Sequence, residues 1–175
     1  MFSIVKASKD QAKLISTIAK EAFLPAHGHS ASKKDIDAYV SKSFNEVVFE
    51  AELSNPAYQY HLIYYKNQIA GYSKIVFNCP NTNIAAQNIT KLERLYLLKE
   101  YYGLDLGKVL FDFNVSLSKE NNQVGLWLAV WVENYRAIKF YEKVGFQKVG
   151  SFDFEISKTH YNPNHILYLK YDSLS

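Results

Sequence analysis

The chain has 175 residues, of which 48% are hydrophobic and 15% aromatic, and it carries a formal net charge of +3. This length and composition predict one packed globular domain over residues 1–175 and exclude a disordered or fibrous chain. The 20 basic and 17 acidic residues are too scattered to predict a nucleic-acid or membrane-binding surface. A single cysteine, Cys79, excludes an internal disulfide and a cysteine-rich zinc site, so a cytoplasmic location is expected.

Hydrophobic periodicity, capping residues and turn residues together predict an alternation of strands and helices along the whole chain. The first half of the chain predicts a strand over 2–7, a helix that begins at Ser8 and Gln11 and ends before Pro25, a loop over 25–30, and helices over 32–44 and 45–53. A hairpin of strands 58–65 and 69–77 around Lys66-Asn67 follows, then a strand over 92–98 and a helix over 106–117. The last predicted elements are a buried strand over 124–131, a helix after Asn134, and strands over 147–156 and 164–171.

The segment from Asn134 to Phe146 predicts a short, well-capped helix. Asn134 is suited to cap its start, apolar residues recur at helical spacing, and Gly145 supplies a left-handed stop. The pattern Asn-x-x-Ala-x-x-Phe-Tyr-x-Lys-x-Gly-Phe resembles the C-terminal motif of the GCN5-related N-acetyltransferases (GNAT superfamily), which transfer an acetyl group from acetyl-CoA to an amine. A core-packing amphipathic helix explains the spacing, but not the combination of Asn134 with Tyr141.

The resemblance implies a GNAT acyltransferase fold along the chain. Such a fold has a mixed central sheet of about six to seven strands flanked by helices. The two central strands, here 92–98 and 124–131, are expected to splay apart and leave a notch for acetyl-CoA.

The turn before the predicted helix 106–117 is the expected phosphate site. Amide groups at a glycine-containing helix start, together with the helix dipole, stabilise an anion such as a pyrophosphate. Gly107 fits the family pattern, whereas Tyr102 replaces an Arg or Gln and Asp105 replaces a Gly. By resemblance, the residues expected to bind acetyl-CoA are Leu95, Leu97, Tyr102, Gly103, Leu104, Asp105, Leu106, Gly107, Lys108, Asn134 and Tyr141.

Two residues are expected to be catalytic. Tyr141 is suited to protonate the leaving thiolate, which costs only about 2 kcal/mol from the ordinary pKa values of the two groups. Glu93 resembles the proposed base of polyamine-acetylating members, a role for which burial would have to raise its pKa; pairing with Arg94 or a surface cation is the alternative. The Leu97 amide is expected to face the acetyl carbonyl.

The acceptor is predicted less sharply than the cofactor. His27 and His29 lie in the region that shapes the acceptor pocket in this family, and they lack the partners of a metal site. The Leu95-Tyr96-Leu97 strand and the tail from His160 to His165 resemble the bacterial spermine/spermidine acetyltransferase (PaiA-like) branch, so a polyamine is one expected acceptor. Its carboxylate partners would come from Glu21, Asp35, Asp37 and Glu46.

Three further possibilities stay open from the sequence. A protein N-terminus is an alternative acceptor, and a non-catalytic acyl-CoA-binding regulatory module is an alternative function because of Tyr102 and Asp105. The alternating strand 164–171 is also suited to pair across a homodimer.

Overall fold

A computed structural model gives the fold and describes residues 1–173. Its helices and strands are β1 (Phe2–Lys6), α1 (Ala12–His27), α2 (Lys33–Ser43), α3 (Glu46–Leu53), β2 (Tyr58–Tyr65), β3 (Gln68–Val76), β4 (Thr90–Leu97), α4 (Leu106–Glu120), β5 (Gly125–Trp131), α5 (Tyr135–Lys143), β6 (Gln147–Ser157) and β7 (His160–Lys170). Short 3₁₀ turns at Lys9–Gln11 and Lys99–Tyr101 precede α1 and α4.

The strands form one seven-stranded sheet in the order β1-β2-β3-β4-β5-β7-β6. Helices α1, α2 and α3 pack against one face through a core that includes Phe23, Phe49 and Leu62. Helices α4 and α5 cover the other face, where Leu110 and Phe111 contact the sheet. The mixed α/β sheet and its flanking helices confirm the predicted fold class.

The hairpin of β2 and β3 forms as predicted. Lys66 and Asn67 have φ values of 48° and 64°, so both adopt the left-handed conformation that a two-residue hairpin turn requires. Gly145, with φ of 106°, ends α5 in the expected way.

The central strands β4 and β5 separate, which confirms the predicted splay. They are parallel and pair only at Thr90 with Leu126 and at Lys91 with Trp127. Beyond Lys91, β4 pairs with β3 alone, and β5 pairs with β7 up to Trp131. The gap therefore opens toward the carboxyl ends of two adjacent strands.

The end of α1 differs from the prediction. The helix runs through Pro25 to His27, and the Gly28 amide still donates to the Leu24 carbonyl at 2.8 Å. Proline is tolerated because it lies on the exposed face, where solvent satisfies the carbonyl that its missing amide leaves free. His27 is thus a helical residue, whereas the prediction placed it in a loop.

The last strand also differs, because β7 begins at His160 and lies between β5 and β6. Both of its edges are hydrogen-bonded within the sheet, so strand 164–171 cannot pair across a homodimer. In the described part of the chain, the sheet edges are β1 and β6. Among residues 1–173, no helix is long and apolar enough to cross a membrane.

Candidate active site

Two cavities meet at the gap between β4 and β5. The larger cavity, of about 310 Å³, lies among α1, β4, β5 and the β6–β7 hairpin. The smaller cavity, of about 190 Å³, lies between the end of β4, the start of α4 and α5. Both cavities are lined by Leu95, Tyr96, Asn134, Ala137 and Tyr141.

The smaller cavity contacts a helix start with unpaired amides. The first bond of α4 runs from the Val109 amide to the Asp105 carbonyl at 3.1 Å, so the amides of 106–108 have no acceptor within residues 1–173. Asp105 has φ of 58° and does not cap the helix with its side chain. Its left-handed backbone, which Asp tolerates, explains how it stands where the family has a glycine.

Gly107 lies at this helix start, and packing does not require a glycine there. A Cβ atom there would meet only Leu97 Cδ1, at 3.7 Å, which is ordinary van der Waals contact. Free amides at the end of a helix fit the phosphates of acetyl-CoA.

The main chain of β4 also faces the gap. The Leu98 amide donates to the Ala70 carbonyl on β3 at 2.9 Å. Because amide direction alternates along a strand, the main-chain groups of Leu95 and Leu97 point away from β3 and toward the gap. Leu95 and Leu97 are thus placed to offer donors and acceptors to a ligand.

Tyr141 forms the wall that the two cavities share. Its ring is held edge-on by Phe140 and Phe146 at 5.3 Å, and its hydroxyl makes no hydrogen bond to any residue of 1–173. Burial raises the pKa of Tyr141 above its ordinary value, so the phenol stays protonated across the physiological range. Asn134 caps α5 by accepting from the Ala137 amide at 3.4 Å.

Comparison with known proteins identifies the family. Residues 18–146 match the model of the acetyltransferase (GNAT) family. The chain belongs to this family. It is an acetyl-CoA-dependent N-acetyltransferase.

Relatives and solved structures agree with this assignment. An uncharacterized N-acetyltransferase from the pepI 3′ region of Lactobacillus delbrueckii subsp. lactis is 28% identical over 83% of this chain and 84% of its own length. The PaiA N-acetyltransferase of Thermoplasma acidophilum, in complex with coenzyme A, has 20% identity and a TM-score of 0.77 over 98% of this chain and 99% of its own. The ribosomal-protein-S18-alanine N-acetyltransferase of Escherichia coli has 15% identity and a TM-score of 0.72, covering 100% and 97% of the two chains.

The larger cavity of this acetyltransferase is rich in aromatic side chains. Its lining includes the aromatic side chains of Phe23, His27, Tyr39, Phe44, Tyr96, Trp131, Phe152 and Phe154. Glu93 is its only carboxylate within the described residues, beside the cations Lys91 and Arg94. The four acidic residues proposed for a polyamine, Glu21, Asp35, Asp37 and Glu46, do not line it, because they lie on the outer sides of α1, α2 and α3.

Glu93 lies in a β-bulge beneath this cavity. Lys74 of β3 pairs with Arg94 and Ile75 pairs with Leu92, so Glu93 is the extra residue on β4. Lys74 Nζ lies 2.6 Å from one Glu93 oxygen, and Lys91 Nζ lies 3.9 Å from the other. Burial raises the pKa of Glu93, but Lys74, Lys91 and Arg94 hold it below its ordinary value, which is opposite to the shift that a general base needs.

The two histidines differ in position. His27 lines the larger cavity, stacks on Phe23 with 4.9 Å between ring centroids, and lies near Trp131. Burial, together with the charge of His29, lowers the pKa of His27 to about 4, so its imidazole is neutral at physiological pH. The predicted loop position of His27 is wrong, because the residue lies on α1; His29 is exposed, lines neither cavity and contacts the Trp131 ring.

The smaller cavity contains only part of the predicted cofactor set. Leu95, Leu97, Tyr102, Gly107, Asn134 and Tyr141 line it, whereas Gly103, Leu104, Asp105, Leu106 and Lys108 do not. Leu106 is buried in the core and the Lys108 ammonium pairs with Asp112, so neither side chain faces this space.

Sequence reasoning missed Arg136, Lys74 and the position of Arg94 at the larger cavity. The Arg136 guanidinium lies 3.5 Å from the centroid of the Tyr102 ring and lines the smaller cavity, close to where the family has an Arg or Gln. Lys74 is a charged residue in an apolar strand, which is a weak signal of a buried ion pair, but its partners become visible only with the strand register.

Proposed function

We propose that this acetyltransferase transfers acetyl from acetyl-CoA directly to the primary amine of a small acceptor with an aromatic or apolar body. The observation that supports the proposal is that Tyr141 lines two cavities of different chemistry, so its hydroxyl can serve as a proton donor between them. The acyl donor occupies the smaller cavity and the acceptor the larger one, so the reaction proceeds in a ternary complex.

The lining of the larger cavity supports an acceptor with one amine. A polyamine in this cavity would place several ammonium groups among aromatic rings and beside Lys91 and Arg94, with Glu93 as the only partner. Unpaired buried ammonium groups are strongly unfavourable. An aromatic or apolar body is instead stabilised by contact with rings such as Phe23, Trp131 and Phe154.

Deprotonation of the amine does not require Glu93 as the base. Direct transfer from an alkylammonium to a carboxylate with an ordinary pKa is uphill by about 8 kcal/mol, and the lowered pKa of Glu93 makes the step harder. Loss of the same proton to solvent at pH 7.5 costs about 4 kcal/mol. The amine therefore loses its proton to solvent, and the Glu93 carboxylate accepts a hydrogen bond that orients the nitrogen.

The bond changes then follow from the geometry of the wall. The amine nitrogen forms the C–N bond at the thioester carbonyl, whose oxygen gains negative charge that the Leu97 amide stabilises. The nitrogen then loses one proton to solvent, the C–S bond breaks as the carbonyl re-forms, and the thiolate takes the proton of the Tyr141 hydroxyl, which solvent later restores. Burial raises the pKa of Tyr141, so the phenol is protonated and holds the proton before the transfer.

Release of thiol from acetyl-CoA across a panel of amines tests this proposal. We expect turnover with phenethylamine, tryptamine and the corresponding amino acids, and kcat/KM for spermidine at least about 10-fold lower. A preference for spermidine would instead establish a polyamine as the acceptor. Turnover only with peptides would establish a protein N-terminus as acceptor, and acetyl-CoA binding without any turnover would indicate a regulatory module.

A further inference from the structure

We infer that Arg94 binds a carboxylate of the acceptor, so that the acceptor is an amine that also carries a carboxylate, such as an aromatic amino acid. This inference rests on the proposed function and names its substrate class. It comes from the charges beneath the larger cavity, which leave Arg94 without an anionic partner.

The two carboxylates of this region are both bound to Lys74. Lys74 Nζ lies 2.6 Å from a Glu93 oxygen and 3.1 Å from a Glu52 oxygen, and the lysine side chain is only 3% exposed. The Tyr60 hydroxyl donates a further hydrogen bond to Glu52. Glu52 and Glu93 thus compensate the buried ammonium.

Arg94 has only neutral neighbours in direct contact. Its Nη1 donates to the Tyr60 hydroxyl at 3.3 Å, and its guanidinium lies 5.0 Å from the Phe44 ring centroid and 5.5 Å from that of Phe49. No carboxylate oxygen of residues 1–173 lies within 4.0 Å of it. The neutral Tyr72 hydroxyl also lies beside the guanidinium, and Arg94 lines the larger cavity.

The charges of the region sum to one excess cation. Lys74, Lys91 and Arg94 face the carboxylates of Glu52 and Glu93, and His27 is neutral. A cation away from water without an anion is unfavourable, and an acceptor carboxylate removes this imbalance. The planar guanidinium fits a carboxylate with two parallel N–H···O bonds, which Lys91 cannot form.

The amine and the carboxylate of such an acceptor meet different residues. Glu93 and Arg94 are adjacent at the bulge of β4, so one zwitterionic molecule can place its amine near the carboxylate and its carboxylate near the guanidinium. The aromatic lining of the larger cavity then takes the side chain.

Matched substrate pairs test this inference. L-phenylalanine and phenethylamine differ only in the carboxylate, as do L-tryptophan and tryptamine. We expect the wild-type protein to have at least about 10-fold higher kcat/KM for each amino acid than for its amine. In Arg94→Met, kcat/KM for the amino acids should fall about 30-fold and kcat/KM for the amines should change less than about 3-fold.

Two further variants separate binding from structure. Arg94→Lys keeps the positive charge but cannot form two parallel hydrogen bonds to a carboxylate, so it should retain a smaller preference for the amino acids. Lys143→Met removes an exposed cation of α5 that lines neither cavity, so the ratio between amino acid and amine should stay at the wild-type value. Equal losses for both members of a pair in Arg94→Met, or no preference in the wild type, would overturn the inference.

Calorimetry distinguishes this inference from the proposed function. Binding of 3-phenylpropionate and indole-3-propionate, which have no amine, is measured with coenzyme A present. We expect wild-type binding that Arg94→Met weakens about 10-fold or more, whether or not any amine is acetylated. Absence of turnover on every amine would refute the proposed function alone, whereas wild-type binding of neither carboxylate, or equal binding by both proteins, would refute the role of Arg94.

Discussion

The two cavities of the site are built in different ways. The smaller cavity is lined mostly by residues of β4 and of the segments around the starts of α4 and α5, such as Leu97, Gly107 and Asn134. The larger cavity is made of side chains from elements far apart in sequence, such as Phe23 on α1 and Phe154 on β6. In the proposed function, the smaller cavity binds acetyl-CoA, and the larger cavity can change its acceptor through side-chain substitutions that keep the fold.

The largest expected effect concerns the charges beneath the larger cavity. Lys74→Met leaves Glu52 and Glu93 without their buried cation, which should lower the free energy of unfolding by about 3 to 5 kcal/mol at pH 7. Urea unfolding measures this loss. The matched control is Lys33→Met, because the Lys33–Asp37 pair is 89% and 59% exposed and its loss should change stability by less than about 0.5 kcal/mol.

The pH dependence of that effect has a definite sign. In the wild type, the lowered pKa of Glu93 stabilises the fold above its unfolded pKa of about 4.3, and this contribution is lost as pH falls through the folded pKa. In Lys74→Met, burial disfavours the ionised Glu93 carboxylate, so protonation of Glu93 at lower pH recovers part of the lost stability. The difference between the two proteins should therefore shrink from pH 7 to pH 4.5, and a difference independent of pH would mean that the lysine acts through packing alone.

The second prediction concerns the wall between the cavities. Tyr141→Phe keeps the ring between Phe140 and Phe146 but removes the proton donor, so kcat should fall about 10²-fold while the KM for acetyl-CoA changes little. Because the pKa of Tyr141 is raised, wild-type kcat should not decline on the alkaline side below about pH 10.

Tyr135→Phe is the control for Tyr141, since Tyr135 lies on the same helix and is 66% exposed. It should leave kcat unchanged. Single-turnover kinetics make the chemical step visible, and an unchanged rate for Tyr141→Phe there would place the proton donor elsewhere.

The difference between the smaller and the larger cavity also explains which parts of the site the sequence could predict. The Asn134 cap, the Tyr141 helix and the glycine turn are local patterns, so their place in the smaller cavity was predictable once the splay of β4 and β5 was expected. The pairing of Lys74 with Glu93 depends on a bulge between two strands, and the neutral state of His27 depends on α1 continuing through Pro25. Such features follow from strand register and packing, which residue spacing does not contain.

The third prediction separates two roles of Glu93. If the carboxylate orients the amine, Glu93→Gln should lower kcat/KM for the acceptor about 10-fold, and equally from pH 6 to pH 9, because a carboxyl group with a lowered pKa is ionised throughout that range. Pre-steady-state kinetics with an aromatic amine measure this profile. A loss that is concentrated at acidic pH and disappears at alkaline pH would instead establish Glu93 as the general base, as the family resemblance predicts.

The smallest expected effect concerns the smaller cavity and the missing Arg or Gln of the family pattern. Arg136 lies over the Tyr102 ring, 3.5 Å from its centroid, and its guanidinium lines this cavity. We propose that the stacked pair supplies the cation that Tyr102 by itself lacks, close to the phosphates of acetyl-CoA. Arg136→Met should raise the KM for acetyl-CoA about 3- to 5-fold, because an exposed cation contributes roughly 1 kcal/mol to binding of an anion.

Ligand and residue controls make this last effect specific. The increase in KM should be smaller at high salt, because an exposed charge is screened. It should be absent with acetylpantetheine, which keeps the thioester but has no phosphates. Lys139→Met, a loss of one exposed positive charge on the same helix away from both cavities, should leave KM unchanged. An equal increase in KM for acetylpantetheine would show that Arg136 shapes the pantetheine channel through Tyr102 and not through its charge.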